Sequence, residues 1–74
     1  MIITDGKRTI DIIITDNRNG IDVTRDLMNT GSMTYNEDMD AYAVDYDVQE
    51  CIDYANKEFV GDDVTVYIVE KSEK

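Results

Sequence analysis

Chemistry in this sequence would have to come from carboxylates, tyrosines and one thiol. Seventeen Asp and Glu stand against seven Lys and Arg in 74 residues, with five Tyr, a single Cys and no His. Without an imidazole, a hydrolytic or transfer enzyme must find its base and nucleophile among Asp, Glu, Tyr, Lys, Ser and Cys51. Cys51 lies between Val48 and Ala55 on a helical apolar stripe, where a thiol is a small core residue and chemically inert. Carboxylate pairs are plentiful, yet one predicted helix on a small sheet offers little concavity in which to bury a pair and raise its pKa. The reading is therefore non-enzymatic, with no catalytic residue and no cofactor.

The acids invite one metal test. Asn36, Asp38 and Asp40, followed by Asp47, follow the ligand spacing of an EF-hand loop. The sixth position is Ala41, where that loop needs Gly for its sharp turn. The twelfth is Asp47, where a longer Glu supplies the bidentate contact. The flanks also read as strands, so no metal site is assigned.

The charge is uneven. Residues 1–30 carry five acids and four bases, whereas residues 31–74 carry twelve acids and three bases, within a net charge of −10. Such a balance excludes direct binding to nucleic acid or to an anionic membrane, since both need Lys and Arg against phosphate. A partner should instead present a basic protein surface. Four of the five tyrosines, Tyr35, Tyr42, Tyr46 and Tyr54, lie in or beside the acidic run 35–54. Tyrosine combines a flat apolar body with a polar tip and is enriched in binding hot spots. The candidate partner-binding residues are Glu37, Asp38, Asp40, Asp45, Asp47, Glu50 and Asp53, with Tyr35 and Tyr42 as anchors. Along an extended strand alternate residues lie about 6.6–6.8 Å apart, so Asp38 and Asp40 would carry charges at roughly the spacing of successive phosphates. The acids at the helix start would extend that row into a likeness of a nucleic-acid backbone.

The elements that position these residues follow from periodicity. Ile2-Ile3-Thr4 and Lys7 to Thr15 read as a β-hairpin across a two-residue Asp5-Gly6 turn, with Ile10, Ile12 and Ile14 on one face beside Met1 and Ile3. Asp16 to Gly20 is a turn cluster. The stretch 21–31 stays open between a short strand through Ile21 and Val23 and a helical turn capped by Asp22 or Thr24 and ended by Gly31. Met33 to Tyr35 and Ala41 to Asp45 form a second hairpin around the acidic loop 36–40. Asp47-Val48-Gln49-Glu50 fits a capping box that opens a helix over about 47–60. Val48, Cys51, Ile52, Ala55 and Phe59 form its buried stripe, and Gly61 is its left-handed cap. Val64 to Glu70 returns as a strand, and the tail from Lys71 to Lys74 frays. The expected fold is α+β: a four- to five-stranded, mostly antiparallel sheet with one helix on one face, in the order β-β-(x)-β-β-α-β, making a single domain over 1–74.

A chain of this length builds a core worth only roughly 3–5 kcal/mol of net stability. With one cysteine and no histidine it has neither an intrachain disulfide nor an ordinary zinc site to add to that, so a homodimer is one remaining source. The start Met1-Ile2-Ile3-Thr4-Asp5 carries an acid where a signal peptide is basic, and no apolar run approaches the ~20 residues that span a bilayer. The expected location is the host-cell cytoplasm.

In size, acidity and absence of catalytic motifs the whole chain resembles the small acidic inhibitors of phages and other mobile elements, anti-CRISPR and DNA-mimic anti-restriction proteins. The run 35–54 is the local support, and no family residue is carried over. The resemblance implies a cytoplasmic inhibitor that occupies the nucleic-acid-binding surface of a defence complex such as a CRISPR effector. An immunity or antitoxin-like protein that caps a basic toxic nuclease would use a similar face. A structural module with a solvated acidic face would carry the same composition for solubility alone.

Overall fold

The computed structural model describes residues 1–29 and 31–71; the expected frayed tail beyond Lys71 lies outside them. The fold is α+β, with a curled mixed sheet and, among the described residues, two helices. The elements are β1 (Ile2–Thr4), β2 (Thr9–Asp16), β3 (Ile21–Asp22), α1 (Thr24–Met28), β4 (Thr34–Asn36), β5 (Ala41–Ala43), α2 (Val48–Glu58) and β6 (Val64–Glu70).

β2 is the spine because its period-two pattern is the strongest in the chain: Ile10, Ile12 and Ile14 are fully buried while Thr9, Asp11, Ile13 and Thr15 alternate on the other face. β6 pairs with it antiparallel from Ile10↔Glu70 to Asp16↔Val64. A strand has only two edges, so β1 and β3 must share the remaining one, β1 at Thr9 to Asp11 and β3 at Thr15 and Asp16. β5 then lies parallel to β1, with Ile3 beside Tyr42, and β4 closes that side antiparallel to β5. The ladder therefore runs β6-β2-β1-β5-β4. The chain leaves β5 on one side of the β1–β2 hairpin and returns as β6 on the other, and α2 makes the crossing. Among the described residues all strand pairs are antiparallel except β1 with β5.

The gap between β1 and β3 is filled by a hydroxyl. Thr24, 1% exposed, accepts the Ile14 N–H through Oγ1 at 2.7 Å and donates to the Asp22 carboxylate. Both readings of the stretch 21–31 thus hold in succession: Ile21–Asp22 is a strand, and Thr24–Met28 is a second helix beyond the one expected. Asp22 accepts the Thr24 N–H at 2.9 Å, but the cap position is Val23, which has no side chain to cap with. Asn29, not Gly31, ends the helix.

The first hairpin departs from a two-residue turn. Thr4 pairs with Thr9, so Asp5 to Arg8 form a four-residue connection. The shift is two residues, which keeps Ile3 and the β2 isoleucines on the same face. The Asp5 side chain drives it: Oδ1 accepts the N–H groups of Lys7 and Arg8, each at 2.8 Å, an arrangement that Asp offers and a two-residue turn cannot use.

Above the sheet, α2 contributes Val48, Cys51 and Ala55 to the core, with Met28 of α1 and Val44 joining Ile3, Ile10, Ile12 and Ile14. Small residues on the helix let it lie close on four bulky isoleucines, each worth roughly 1.5–3 kcal/mol when fully buried. Ile52 and Phe59 are only half-buried at the margin of this core. Phe59 is the cap at the C-terminal end of α2, and its N–H reaches Ala55 C=O at 3.0 Å. Gly61, with φ of +118°, lies two residues past that cap, so its positive φ serves the following turn. Phe59 meets Tyr54 edge to face, with 5.5 Å between ring centroids. Phe59→Ala is expected to cost about 1.5–2.5 kcal/mol, less than the ~3–5 kcal/mol of a fully buried ring. Urea denaturation checks this, and a loss under about 0.5 kcal/mol would remove the ring from the core.

Candidate functional site

The nine candidate residues fall into two groups at opposite ends of β5. The first is the β4–β5 turn. Asn36 begins it, its Oδ1 accepting the N–H groups of Asp38 at 2.9 Å and Met39 at 3.2 Å, and Asp40 N–H closes onto Glu37 C=O at 3.3 Å. Asp40 has a φ of +51°, a left-handed conformation that Asp tolerates better than most residues. Glu37, Asp38, Met39 and Asp40 are all exposed. Because Asp38 and Asp40 sit in a tight turn and not along a strand, the expected phosphate-like spacing of extended backbone does not apply to them.

Both anchors stand beside this turn. Tyr35 and Tyr42 face one another across β4 and β5, with ring centroids 5.1 Å apart and planes tilted by 58°. Tyr35 donates its hydroxyl to Asp40 Oδ1 at 2.5 Å, and that bond to a carboxylate pushes the phenol pKa up. The Arg25 guanidinium lies 5.9 Å from the Tyr42 centroid, within cation–π range. Arg25, from the near-neutral half, therefore covers one of the two anchors. Tyr42 is half-buried, while Tyr35 is 44% exposed and remains open to a partner.

The second group runs from the β5–α2 connection into α2. Asp47 is the N-cap, as expected, but its Oδ1 accepts from Gln49 N–H at 2.8 Å, one residue earlier than a capping box requires. Glu50 N–H goes to the backbone C=O of Asp47 at 2.9 Å, and among the described residues no return bond from the Glu50 side chain forms. The first N–H of the helix is satisfied from elsewhere: Val48 N–H donates to Asp5 Oδ2 at 3.0 Å. Asp5 thus collects three backbone N–H groups, from Arg8, Val48 and Lys7, which hold its carboxyl at about 2. The Asp5–Val48 bond ties the β1–β2 loop to the start of α2.

Asp45, Asp47, Glu50 and Asp53 are exposed. Arg8 breaks up their field. Its guanidinium bonds both oxygens of Glu70 at 3.1 and 2.8 Å, donates to Gln49 Oε1 at 3.1 Å and lies 3.6 Å from Asp47. Asp53 accepts the Gln49 side-chain amide at 3.1 Å, one helical turn away. Among the described residues, Asp47 is the one candidate acid with an ion-pair partner. No group of three or more His, Cys, Asp or Glu among them is placed to hold a metal ion. None of the described helices is long and apolar enough to cross a membrane.

Cys51 is buried beneath a shallow hollow of about 270 Å³ lined also by Met28, Met33, Tyr46, Glu50 and Tyr54. This falls just under the ~300 Å³ at which small-molecule sites begin. Burial pushes the thiol pKa up, against a weak contact at 3.9 Å with the Tyr46 hydroxyl. Little thiolate exists near neutral pH, so labelling of the native protein by a disulfide reagent is expected to run about 100-fold or more slower than in denaturant. Rapid stoichiometric labelling of the native protein would contradict an inert core thiol.

Sequence reasoning missed Asp5, Arg8 and Arg25. A signal existed for Asp5, since an Asp followed by Gly after a strand marks a side chain that organises its own turn. Nothing in the sequence paired Arg8 with Glu70 or set Arg25 over Tyr42. No known protein family, curated protein or solved structure gives a significant match to the chain.

Proposed function

We propose that this protein is a non-enzymatic inhibitor acting in the host-cell cytoplasm, which binds a basic nucleic-acid-binding surface of a defence complex, an anti-CRISPR-like role, and denies that surface to DNA. The observation that carries the reading is the exposure of Glu37, Asp38, Asp40, Asp45, Glu50 and Asp53 with no cation in ion-pair contact among the described residues. Carboxylates left to solvent project their field outward, and a basic channel that holds DNA supplies the complementary one. The grouping at two ends of β5 favours a two-point contact over a continuous phosphate-like row. The turn with Tyr35 forms one point, and the start of α2 forms the other. The proposed binding residues remain Tyr35, Glu37, Asp38, Asp40, Tyr42, Asp45, Asp47, Glu50 and Asp53, with Tyr42 acting behind Arg25.

The test is competition. A guide-loaded CRISPR nuclease is offered labelled duplex DNA with and without this protein, and a basic toxic nuclease is run in parallel. Loss of DNA occupancy on the CRISPR complex, weakening as salt rises, supports the proposal. Inhibition confined to the toxic nuclease would assign the immunity-like role instead. Unchanged occupancy on both at saturating protein would leave a solvated acidic face.

A further inference from the structure

The longest unblunted feature of the surface is the outer edge of β6. β4 at the opposite side of the sheet spans only Thr34–Asn36, whereas β6 runs for seven residues. Proteins guard such edges with charge, proline, a bulge or brevity, and Val64-Thr65-Val66-Tyr67-Ile68-Val69 has none of these. It is an uncharged run in a chain of seventeen acids.

The direction of its free backbone groups follows from the two ends of the ladder. Lys71 N–H donates to Thr9 C=O at 2.7 Å, and Asn17 N–H donates to Asp63 C=O at 2.8 Å. In an antiparallel pair the bonding direction alternates by residue, so the odd-numbered residues from 63 to 71 turn toward β2. Val64, Val66 and Ile68 then aim their N–H and C=O groups outward. Among the described residues none of those groups has a hydrogen-bond partner. On the outer face of the same strand Tyr67 is 59% exposed, next to Val69, which is also exposed.

We infer that the free edge of β6 pairs with β6 of a second copy of the chain, antiparallel about a twofold axis that passes through Tyr67. The register is set by the chain itself. Outward-facing residues must meet outward-facing residues, and a twofold at Tyr67 puts Val66 opposite the partner's Ile68 on both sides of the axis. The Tyr67 side chains then meet at a pair that is not hydrogen-bonded, where strands bring side chains closest. The same register sets Asp63 opposite the partner's Lys71 at each end. Two chains of net charge −10 approach here through strands whose one charged residue, Glu70, is bonded to Arg8 of its own chain, with the opposite charges of Asp63 and Lys71 facing at the flanks. That charge pattern fits a second copy better than an arbitrary extended segment. The pairing continues one sheet through both molecules and leaves each β4–β5 turn at an outer end.

Sedimentation velocity from about 1 to about 500 µM tests this. The wild type should form a dimer. Val66→Pro should be monomeric throughout with an unchanged circular dichroism spectrum, because the Val66 N–H faces away from β2 and an edge position tolerates proline. Asp63→Lys should raise the dimer dissociation constant about tenfold or more, and Asp63→Lys combined with Lys71→Asp should return it to within about threefold of wild type. If Val66→Pro fails to fold, the charge exchange decides. A wild type monomeric at every concentration, leaving the edge to some other partner's segment, would overturn the inference. So would a dimer indifferent to Val66→Pro, or an exchange that does not restore association.

Discussion

Asp5→Ala is expected to lower stability by about 2–3 kcal/mol at neutral pH, a large share of what so small a domain possesses. Its carboxylate accepts Lys7, Arg8 and Val48 N–H groups at 2.8, 2.8 and 3.0 Å. Removing it releases the four-residue β1–β2 connection and leaves the first N–H of α2 without its partner. Asp5→Asn should lose less, since one carbonyl oxygen remains to accept at the turn; the gap between wild type and Asp5→Asn measures the link to Val48, and the further loss in Asp5→Ala measures the turn bonds. The effect carries a pH signature. Those backbone donors depress the folded pKa to about 2, below the ~3.9 of an unfolded Asp. A depressed carboxylate contributes its stabilisation in full above about pH 4 and loses it as pH falls toward about 2. The difference between wild type and Asp5→Ala should therefore shrink on acidification through that window. Urea denaturation of both proteins at pH 7 and near pH 3 provides the check. A variant within about 0.5 kcal/mol of wild type at pH 7, or a difference that holds constant on acidification, would show that the loop and helix are joined by something else.

Reversing two charges of the β4–β5 turn, Glu37→Lys with Asp38→Lys, is expected to weaken binding to a basic partner by about 10- to 100-fold at low salt, through a slower association rate. Exposed single pairs are worth about 0.2–1 kcal/mol each, and reversal replaces attraction by repulsion at both positions. Asp40 is left in place, because its φ of +51° and its bond to Tyr35 make it part of the turn. The fold should survive, since both altered side chains are exposed. Asp26→Lys with Glu58→Lys makes the same change of charge at exposed positions outside the candidate residues and should act far less; Asp11 is unsuitable, because it holds the N-terminal ammonium at 3.3 Å. Asp5 would be a poor control, given its structural role. Surface plasmon resonance against the captured nuclease complex at two salt concentrations distinguishes the outcomes. Equal losses from both pairs, or a loss confined to the dissociation rate and indifferent to salt, would rule out steering by the turn.

Alternation and spacing carried most of the architecture. The period-two isoleucines of β2 and the valines of β6 specify strands and a buried face, because burying the wrong side of β2 would leave Ile10, Ile12 and Ile14 in water. The 3.6-residue stripe Val48, Cys51 and Ala55, with Asp47 ahead of it, specifies α2. Asn36 to Asp40 declares a turn, since Asn side chains bond the N–H groups two and three residues on. The exposure of the candidate acids was equally legible, because isolated carboxylates on a small domain have no low-cost place inside. Tertiary contact decided the rest. A five-residue helix and a two-residue strand lie below the length at which periodicity is visible, and α1 persists through the buried Thr24 hydroxyl and Met28. The parallel meeting of β1 with β5, the use of Asp5 to cap a helix forty-three residues away, the Arg8–Glu70 pair and the seat of Arg25 over Tyr42 join residues with no local relation. Their partners are chosen by how the sheet closes, and local spacing contains no information about that. The acids are one run in sequence. Their division into a turn before β5 and a helix start after it follows the order of residues, whereas the cations that meet the candidate residues, Arg25 over Tyr42 and Arg8 beside Asp47, belong to the fold.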